Sequence, residues 1–367
     1  MSLQRPILLC AGGTGGHLFP AEALATALAA RGCVVELATD TRALKYGASF
    51  PARAIHSIAA ATPTGGSLLS KALAAMTLAR GTLAARGLVR RLNPLVVVGF
   101  GGYPTVPPLL AAAQLGFATV LHEQNAVMGR ANRFLARRVG AIGTGFPNLG
   151  GVTPEIKFKA HFTGNPVRPA VLAAALVPYP VRADGKLQVL VTGGSQGARV
   201  MSQIVPSAIE LLSPALRLQL AIVQQARGED AAQVSQTYVR LGVEAQVQPF
   251  FDDLPARMAQ AHLVIARAGA STVSELAVIG RPAILVPFPF ALDNDQAANA
   301  AVLAETGAVT VIKQADFTPQ WLADALTKAL ADTAGLVKAA LAAKAAGVQD
   351  AAERLADLVL QVAGRQN

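Results

Sequence analysis

Residues 263–296 read LVIARAGASTVSELAVIGRPAILVPFPFALDNDQ. Leu263 to Ala266 is a short apolar run, the form of a buried strand. It stops at Arg267-Ala268-Gly269-Ala270, a tight loop. Ser271-Thr272 have the chemistry of a helix cap, and Glu275 follows Thr272 at the spacing of a capping box. A second apolar run, Ala283 to Phe288, follows Gly280-Arg281-Pro282 and leads to the polar loop Asp293-Asn294-Asp295-Gln296. The order is strand, Gly loop, helix start, strand, polar loop. In an open parallel sheet such loops share the carboxyl edge of the strands, where ligands bind. A helix N-terminus offers free N–H groups to a phosphate. Glu275 offers a carboxylate to ribose hydroxyls, and Asp295 and Gln296 offer hydrogen bonds to a sugar. The stretch reads either as a nucleotide-sugar pocket or as a helix that Thr272 and Glu275 merely cap.

The same pattern recurs in both directions. Pro6 to Ala11 is an apolar strand leading into Gly12-Gly13-Thr14-Gly15-Gly16-His17, Pro20 and a helical run from Ala21 to Ala30. Val34 to Ala38 is a second strand, with Asp40 after it. This βαβ start signals phosphate or pyrophosphate. Its glycines depart from the dinucleotide fingerprint at Leu18, although Asp40 stands where an NAD-ribose acid would. His17, at the loop–helix junction, suits general base work near neutral pH, or simply bonds backbone there. Leu95 to Val98 precedes a second Gly loop, Gly99 to Pro104, and Thr119 to Leu121 ends in His122-Glu123-Gln124-Asn125, all four able to face a cleft. His56, His161 and His262 lie in or beside apolar runs and read as structural. After Gly164-Asn165-Pro166-Val167-Arg168 the pattern restarts. Pro178 to Lys186 is a connector, and Leu187 to Val191 is a strand running into Thr192-Gly193-Gly194-Ser195-Gln196-Gly197. Leu218 to Val223 and Ala245 to Phe250 are strand-like, and an Ala-rich helical pattern fills Trp321 to Ala363. Two successive doubly wound units follow, an α/β chain.

The 367 residues fit two domains, and 52% hydrophobic with 15% charged content permits a large core. Two cysteines, Cys10 and Cys33, exclude a disulfide framework and fit a cytosolic setting. No 18-residue apolar run and no leader pattern occurs. The net charge of +10 is uneven: residues 1–165 hold 16 of the 32 Lys and Arg but only 5 of the 22 Asp and Glu. The first half therefore expects an anionic partner. Scattered basic residues and 5% aromatics speak against nucleic acid. Thr62 to Asn93 carries Lys71, Arg80, Arg86, Arg90 and Arg91 among leucines. Their spacing does not collapse onto one helical face, and Gly81 and Gly87 are expected to interrupt the helix. The segment is either a core helix pair with solvated ends or a patch for anionic lipid.

Taken together, GGTGGHLFP (12–20), GFGGYP (99–104), HEQN (122–125), GNPVR (164–168), GGSQGA (193–198), GASTVSEL (269–276) and DNDQAAN (293–299) span nearly the whole chain. In this order they resemble the GT-B glycosyltransferases, and among them the peptidoglycan N-acetylglucosaminyltransferases. The resemblance implies two Rossmann-like doubly wound domains facing across a cleft. Residues 1–165 would bind the acceptor and the membrane, and 166–345 the UDP-sugar. A C-terminal helix, about 346–367, would return to the first domain. The donor would be UDP-N-acetylglucosamine and the acceptor lipid I, at the cytoplasmic face of the bacterial inner membrane. The resemblance puts Ser195, Arg168 and the backbone of Phe251 at uracil or phosphate. Ala270, Ser271, Thr272, Val273 and Ser274 would lie over the pyrophosphate, Glu275 at ribose, and Gln296 and Asn125 at the sugar. Thr14, Gly15 and Gly16 would line the reacting bond. The chemistry would be one inverting displacement forming a β(1→4) bond, with His17 or else Glu123 as base. Asp293-x-Asp295 has the D-x-D spelling of metal-dependent transferases, but the resemblance sets this loop on the sugar and implies no metal or other cofactor. Asp295 departs from the His or Gln common at its position, and Ala291-Leu292 is unusually apolar for a sugar loop. An NAD-type oxidoreductase, a non-catalytic nucleotide-sugar or membrane scaffold, and a transferase with the same donor and another lipid-linked acceptor remain open.

Overall fold

A computed structural model of the chain describes residues 5–12, 15–40, 50–58, 68–182, 185–194 and 197–365, for 68–75 the backbone only. The chain divides into two compact units, Met1–Arg168 with Gln349–Asn367, and Pro169–Val348.

The first unit is a parallel sheet of seven strands. These are β1 (Ile7–Cys10), β2 (Val35–Thr39), β3 (Ile55–Ser57), β4 (Val96–Gly99), β5 (Ala118–Glu123), β6 (Ala141–Thr144) and β7 (Ala160–Phe162), in the order β3-β2-β1-β4-β5-β6-β7. The central strands are unbroken apolar runs because both faces of the sheet are covered. Alternation along each strand divides the core in two. Ile7, Leu9 and Val98 pack against α1 (Gly15–Ala30). Leu8, Cys10 and Val97 pack against α2 (Leu68–Leu92), α3 (Val106–Gln114) and α4 (Arg130–Ala136). A short α5 (Pro154–Phe158) precedes β7.

Two expectations need correction here. The helix after the first Gly loop starts at Gly15 and not near Ala21, so His17 lies in its first turn and Pro20 inside it. The second helix runs 25 residues straight through Gly81 and Gly87. Each interior glycine costs about 1 kcal/mol relative to alanine. Full burial of Ala85, Leu88 and Val89 on the same helix offsets that. Its exposed arc carries Met76, Arg80, Leu83, Gly87, Arg90 and Arg91, so three of the four arginines do share a face. Only Arg86 turns aside, donating to Gln114 Oε1 at 3.0 Å.

The second unit repeats the plan with six parallel strands. They are β8 (Leu187–Thr192), β9 (Leu220–Gln225), β10 (Glu244–Gln248), β11 (Leu263–Ala266), β12 (Ala283–Leu285) and β13 (Val309–Val311), ordered β10-β9-β8-β11-β12-β13. Its helices are α6 (Pro169–Ala174), α7 (Arg199–Leu211), α8 (Pro214–Arg217), α9 (Gly228–Leu241), α10 (Leu254–Gln260), α11 (Ala270–Ile279), α12 (Asp295–Ala304), α13 (Pro319–Ala331) and α14 (Thr333–Ala346). Leu187, Val189, Val191 and Ile265 form one core with α7 and α13. On the opposite face Arg281, wholly buried, donates to the carbonyls of Val177, Pro178, Ala259, Ile279 and Gly280. The side chain thus gathers the carbonyl ends of α10 and α11 and the connector into one knot, and desolvation lowers its pKa to about 10. The last helix, α15 (Ala351–Gly364), returns to the first unit. Leu355, Leu358 and Val359 enter the α1 core, and Arg31 donates to Asp357 Oδ1 at 2.6 Å.

Candidate functional site

Each sheet reverses its strand order once, between β1 and β4 and between β8 and β11. Such a switch point opens a crevice at the carboxyl edge. All the Gly loops singled out by sequence end these four strands.

In the first unit the loop after β4 turns at Gly101 (φ 83°) and Gly102 (φ 74°), a conformation that favours glycine. A β-carbon at Gly102 would stand 3.2 Å from His17 Cδ2, so the loop lies directly on the imidazole. The ring is half-buried, with Nδ1 as its buried nitrogen. Burial lowers the His17 pKa against the opposing pull of Gln124 and the Phe100 carbonyl beside it. The imidazole is therefore neutral near pH 7. Thr14 lies outside the described residues; Gly15 and Gly16 form the helix start.

Of the four residues His122 to Asn125, only Asn125 is part-exposed. His122 is fully buried, donates from Nε2 to the Gly164 carbonyl at 3.1 Å, and is held by desolvation at a pKa of about 4. Glu123 is buried and accepts from Asn125 N (3.0 Å), Asn125 Nδ2 (3.3 Å), Gly129 N (2.9 Å) and Asn132 Nδ2 (2.8 Å). Desolvation raises its pKa despite these donors. Its carboxylate folds the 124–129 loop, a task that competes with the base role expected of it. Gln124 donates to the Phe100 carbonyl at 2.7 Å, which ties the end of β5 to the Gly loop. Arg168 lies in the first unit, its guanidinium 4.1 Å from the centre of the Phe19 ring.

In the second unit α11 starts at Ala270, two residues earlier than a Ser271 cap requires. Its N-cap is the extended Gly269, and no side chain caps it. The capping box does not form. Ser271 and Thr272 instead ride in the first turn, part-exposed with Ser274, while Ala270, Val273 and Glu275 are buried. The free N–H groups of this turn stay available to a ligand. Gln296 Oε1 accepts from Phe288 N (2.9 Å) and Ala268 N (3.3 Å), so its carbonyl staples the loops after β11 and β12 and only its amide can reach a sugar. Asp293 and Asn294 both sit at φ 56° ahead of α12. Asp295 opens that helix, its pKa raised by desolvation and by Asp293. Phe251 is buried under Arg257, 4.3 Å from its ring centre. Ser195 lies outside the described residues; the chain before it is held at Thr192 and Gly193. Gln225 Oε1 accepts from Thr192 Oγ1 (2.8 Å) and Gly193 N (3.3 Å). Any β-carbon at Gly193 would stand 2.1 Å from Ala198 N. Among the described residues, no three or more His, Cys, Asp or Glu side chains group to hold a metal ion.

Sequence reasoning missed Asn132 and Gln225, the side chains that hold the functional loops. Neither stands in a Gly-rich motif, and only the three-dimensional contacts single them out.

Family models match both halves: the glycosyltransferase family 28 N-terminal domain over residues 7–144 and its C-terminal domain over 188–355. A relative from Methylobacterium nodulans is 59% identical across 99% of this chain and 98% of its own length. Another from Allorhizobium ampelinum is 55% identical across 98% of this chain and 96% of its own. Both are named UDP-N-acetylglucosamine–N-acetylmuramyl-(pentapeptide) pyrophosphoryl-undecaprenol N-acetylglucosamine transferase. The crystal structure of Acinetobacter baumannii MurG superposes with a TM-score of 0.78 at 29% identity, covering 97% of this chain and 99% of that one. The calicheamicin glycosyltransferase CalG4, at 16% identity and a TM-score of 0.66, shares the fold.

Proposed function

The chain belongs to glycosyltransferase family 28, and from that premise we propose how its two loop edges transfer N-acetylglucosamine from UDP-N-acetylglucosamine to lipid I, yielding lipid II and UDP. The observation that carries the site reading is the uncapped first turn of α11 at the β8/β11 switch point. Its free N–H groups, with the hydroxyls of Ser271 and Thr272, receive the pyrophosphate. They stabilise the charge that builds as the diphosphate leaves. Ala270, Val273 and Ser274 shape that turn, and Glu275 holds the ribose. The Gly193–Ser195 loop and the Phe251 backbone take the uracil end. Arg168 contributes a positive charge to the phosphates. The Gln296 amide and Asn125 bind the sugar.

Chemistry follows as a single displacement. The C4 hydroxyl of the muramyl sugar attacks the anomeric carbon from the face opposite UDP, and configuration inverts. His17, neutral near pH 7, takes the hydroxyl proton as the new bond forms. Gly15 and Gly16 keep the approach to the reacting bond open. Glu123 serves by positioning Asn125 through its buried contacts.

The first unit also binds the membrane that carries the acceptor. No helix among the described residues is long and apolar enough to cross a bilayer. The exposed face of α2, with Arg80, Arg90, Arg91 and the 70% exposed Leu83, suits a peripheral contact with anionic lipid at the cytoplasmic face. Lys71 precedes this face in sequence, and Arg86 lies within its span but turns to Gln114.

Donor kinetics test the site. Glu275→Gln and Glu275→Ala are expected to raise the KM for UDP-N-acetylglucosamine about 10- to 100-fold, the worth of one charge-assisted hydrogen bond. The maximal rate should change far less. An unaltered donor KM would remove Glu275 from the ribose.

A further inference from the structure

Gln124 has no task in the reading above, yet it is the best-placed neighbour of the proposed base. It is buried, and its Nε2 donates to the Phe100 carbonyl at 2.7 Å. That bond fixes which way the carboxamide faces and leaves Oε1 as a buried acceptor with no hydrogen-bond partner of its own. The opposing unsatisfied atom is His17 Nδ1, also buried and also unpartnered in normal geometry. The two groups lie under the same turn, next to the Phe100 carbonyl that Gln124 holds. Gly101 and Gly102 close over them. A β-carbon at Gly101 would stand 3.6 Å from Gln124 Oε1, and one at Gly102 3.4 Å from His17 Nε2. A buried donor and a buried acceptor side by side, both otherwise unsatisfied, are costly unless they pair.

We infer that Gln124 is a positioning residue for His17: its Oε1, with the Phe100 carbonyl, accepts the Nδ1–H proton and so leaves Nε2 as the unprotonated nitrogen. A neutral imidazole carries one proton, and the hydrogen bond at one nitrogen decides which of the two it is. Only the Nδ1–H tautomer presents a lone pair at Nε2. No bond is made or broken by Gln124. It sets the starting state of the proton transfer that His17 performs. This inference rests on the reading of His17 as base, but the tautomer itself is measurable without turnover.

The experiment has two arms. Long-range proton–nitrogen correlation spectra of nitrogen-labelled protein, with His17 assigned by the loss of its signals in His17→Gln, report the tautomer directly. The wild type is expected to show Nδ1–H. Gln124→Leu is expected to show Nε2–H or a mixture, and Gln124→Glu to restore Nδ1–H. In the pH profile of maximal rate, Gln124→Leu should lower the plateau about 10- to 100-fold, the usual effect of losing such a partner. It should also move the acidic limb to lower pH, because an acceptor that favours the imidazolium is gone. Gln124→Glu should move that limb to higher pH. An Nε2–H signal in the wild type, or His17 signals unchanged in Gln124→Leu, would overturn the proposal. So would plateau losses in both variants with neither limb displaced, the behaviour of a residue that only supports the fold. Correct tautomers with a fully active His17→Gln would leave the positioning intact and refute His17 as base.

Discussion

His17 and His122 stand at the same sheet edge and are tuned by the same force to different ends. Burial lowers both, but His17 is only half-buried while His122 is sealed in with its Nε2 on the Gly164 carbonyl. The consequence for His122 is a stability effect. Its folded pKa, about 4, is below the ordinary value of 6.5. As pH falls through 6.5 the unfolded chain takes up the proton first, so stability is lost between about pH 6.5 and pH 4, by about 3 kcal/mol from this residue. Below that both states are protonated and the loss levels off. Denaturant unfolding of His122→Asn should lose about 3 kcal/mol less stability than wild type between pH 6.5 and pH 4. Equal losses would mean His122 does not stay neutral in the folded protein. The residue scale is also where the sequence was least legible. The run from His122 to Asn125 looked equally able to face a ligand, because spacing cannot report that His122, Glu123 and Gln124 turn inward. Side-chain direction there depends on Asn132, nine residues on from Glu123, and on Gly164, 42 residues on from His122.

At the scale of single elements, local rules and tertiary packing disagreed twice. The spelling Ser271-Thr272-x-x-Glu275 suggested a capping box, yet Gly269 takes the cap and α11 starts early. Leaving the N–H groups uncapped forgoes the roughly 1 kcal/mol a cap supplies and frees an anion site. Gly81 and Gly87 suggested a break in α2, but core burial carries the helix through them. That continuity brings Arg80, Arg90 and Arg91 together on the exposed arc, which a broken helix would not do. Replacing the three with glutamine should weaken binding to vesicles containing anionic lipid by on the order of a hundredfold, at about 1 kcal/mol per basic residue. The difference should shrink as salt screens the surface. Binding that is unchanged at low salt would return α2 to a purely structural role. Lys71 and Thr62 to Ser67 belong to the same sequence segment, but Lys71's side chain and residues 62–67 are outside the described residues.

The whole molecule was the most legible. Alternating apolar strands, Gly loops and helical runs, restarting after Gly164, indicated two doubly wound parallel sheets, and both are present with one switch point each. Fold of this kind is written in periodicity, which a sequence displays; the roles of loops depend on contacts, which it does not. The uneven charge is legible as well: the first half is basic and the second close to neutral, which suits the first half to an anionic partner. The central claim is that these two units together run one transfer reaction. The most direct measurement is release of UDP from UDP-N-acetylglucosamine with and without a short-chain lipid I analogue. Release is expected to depend on the analogue and to yield one β(1→4)-linked disaccharide per UDP. Donor binding without analogue-dependent release would contradict it.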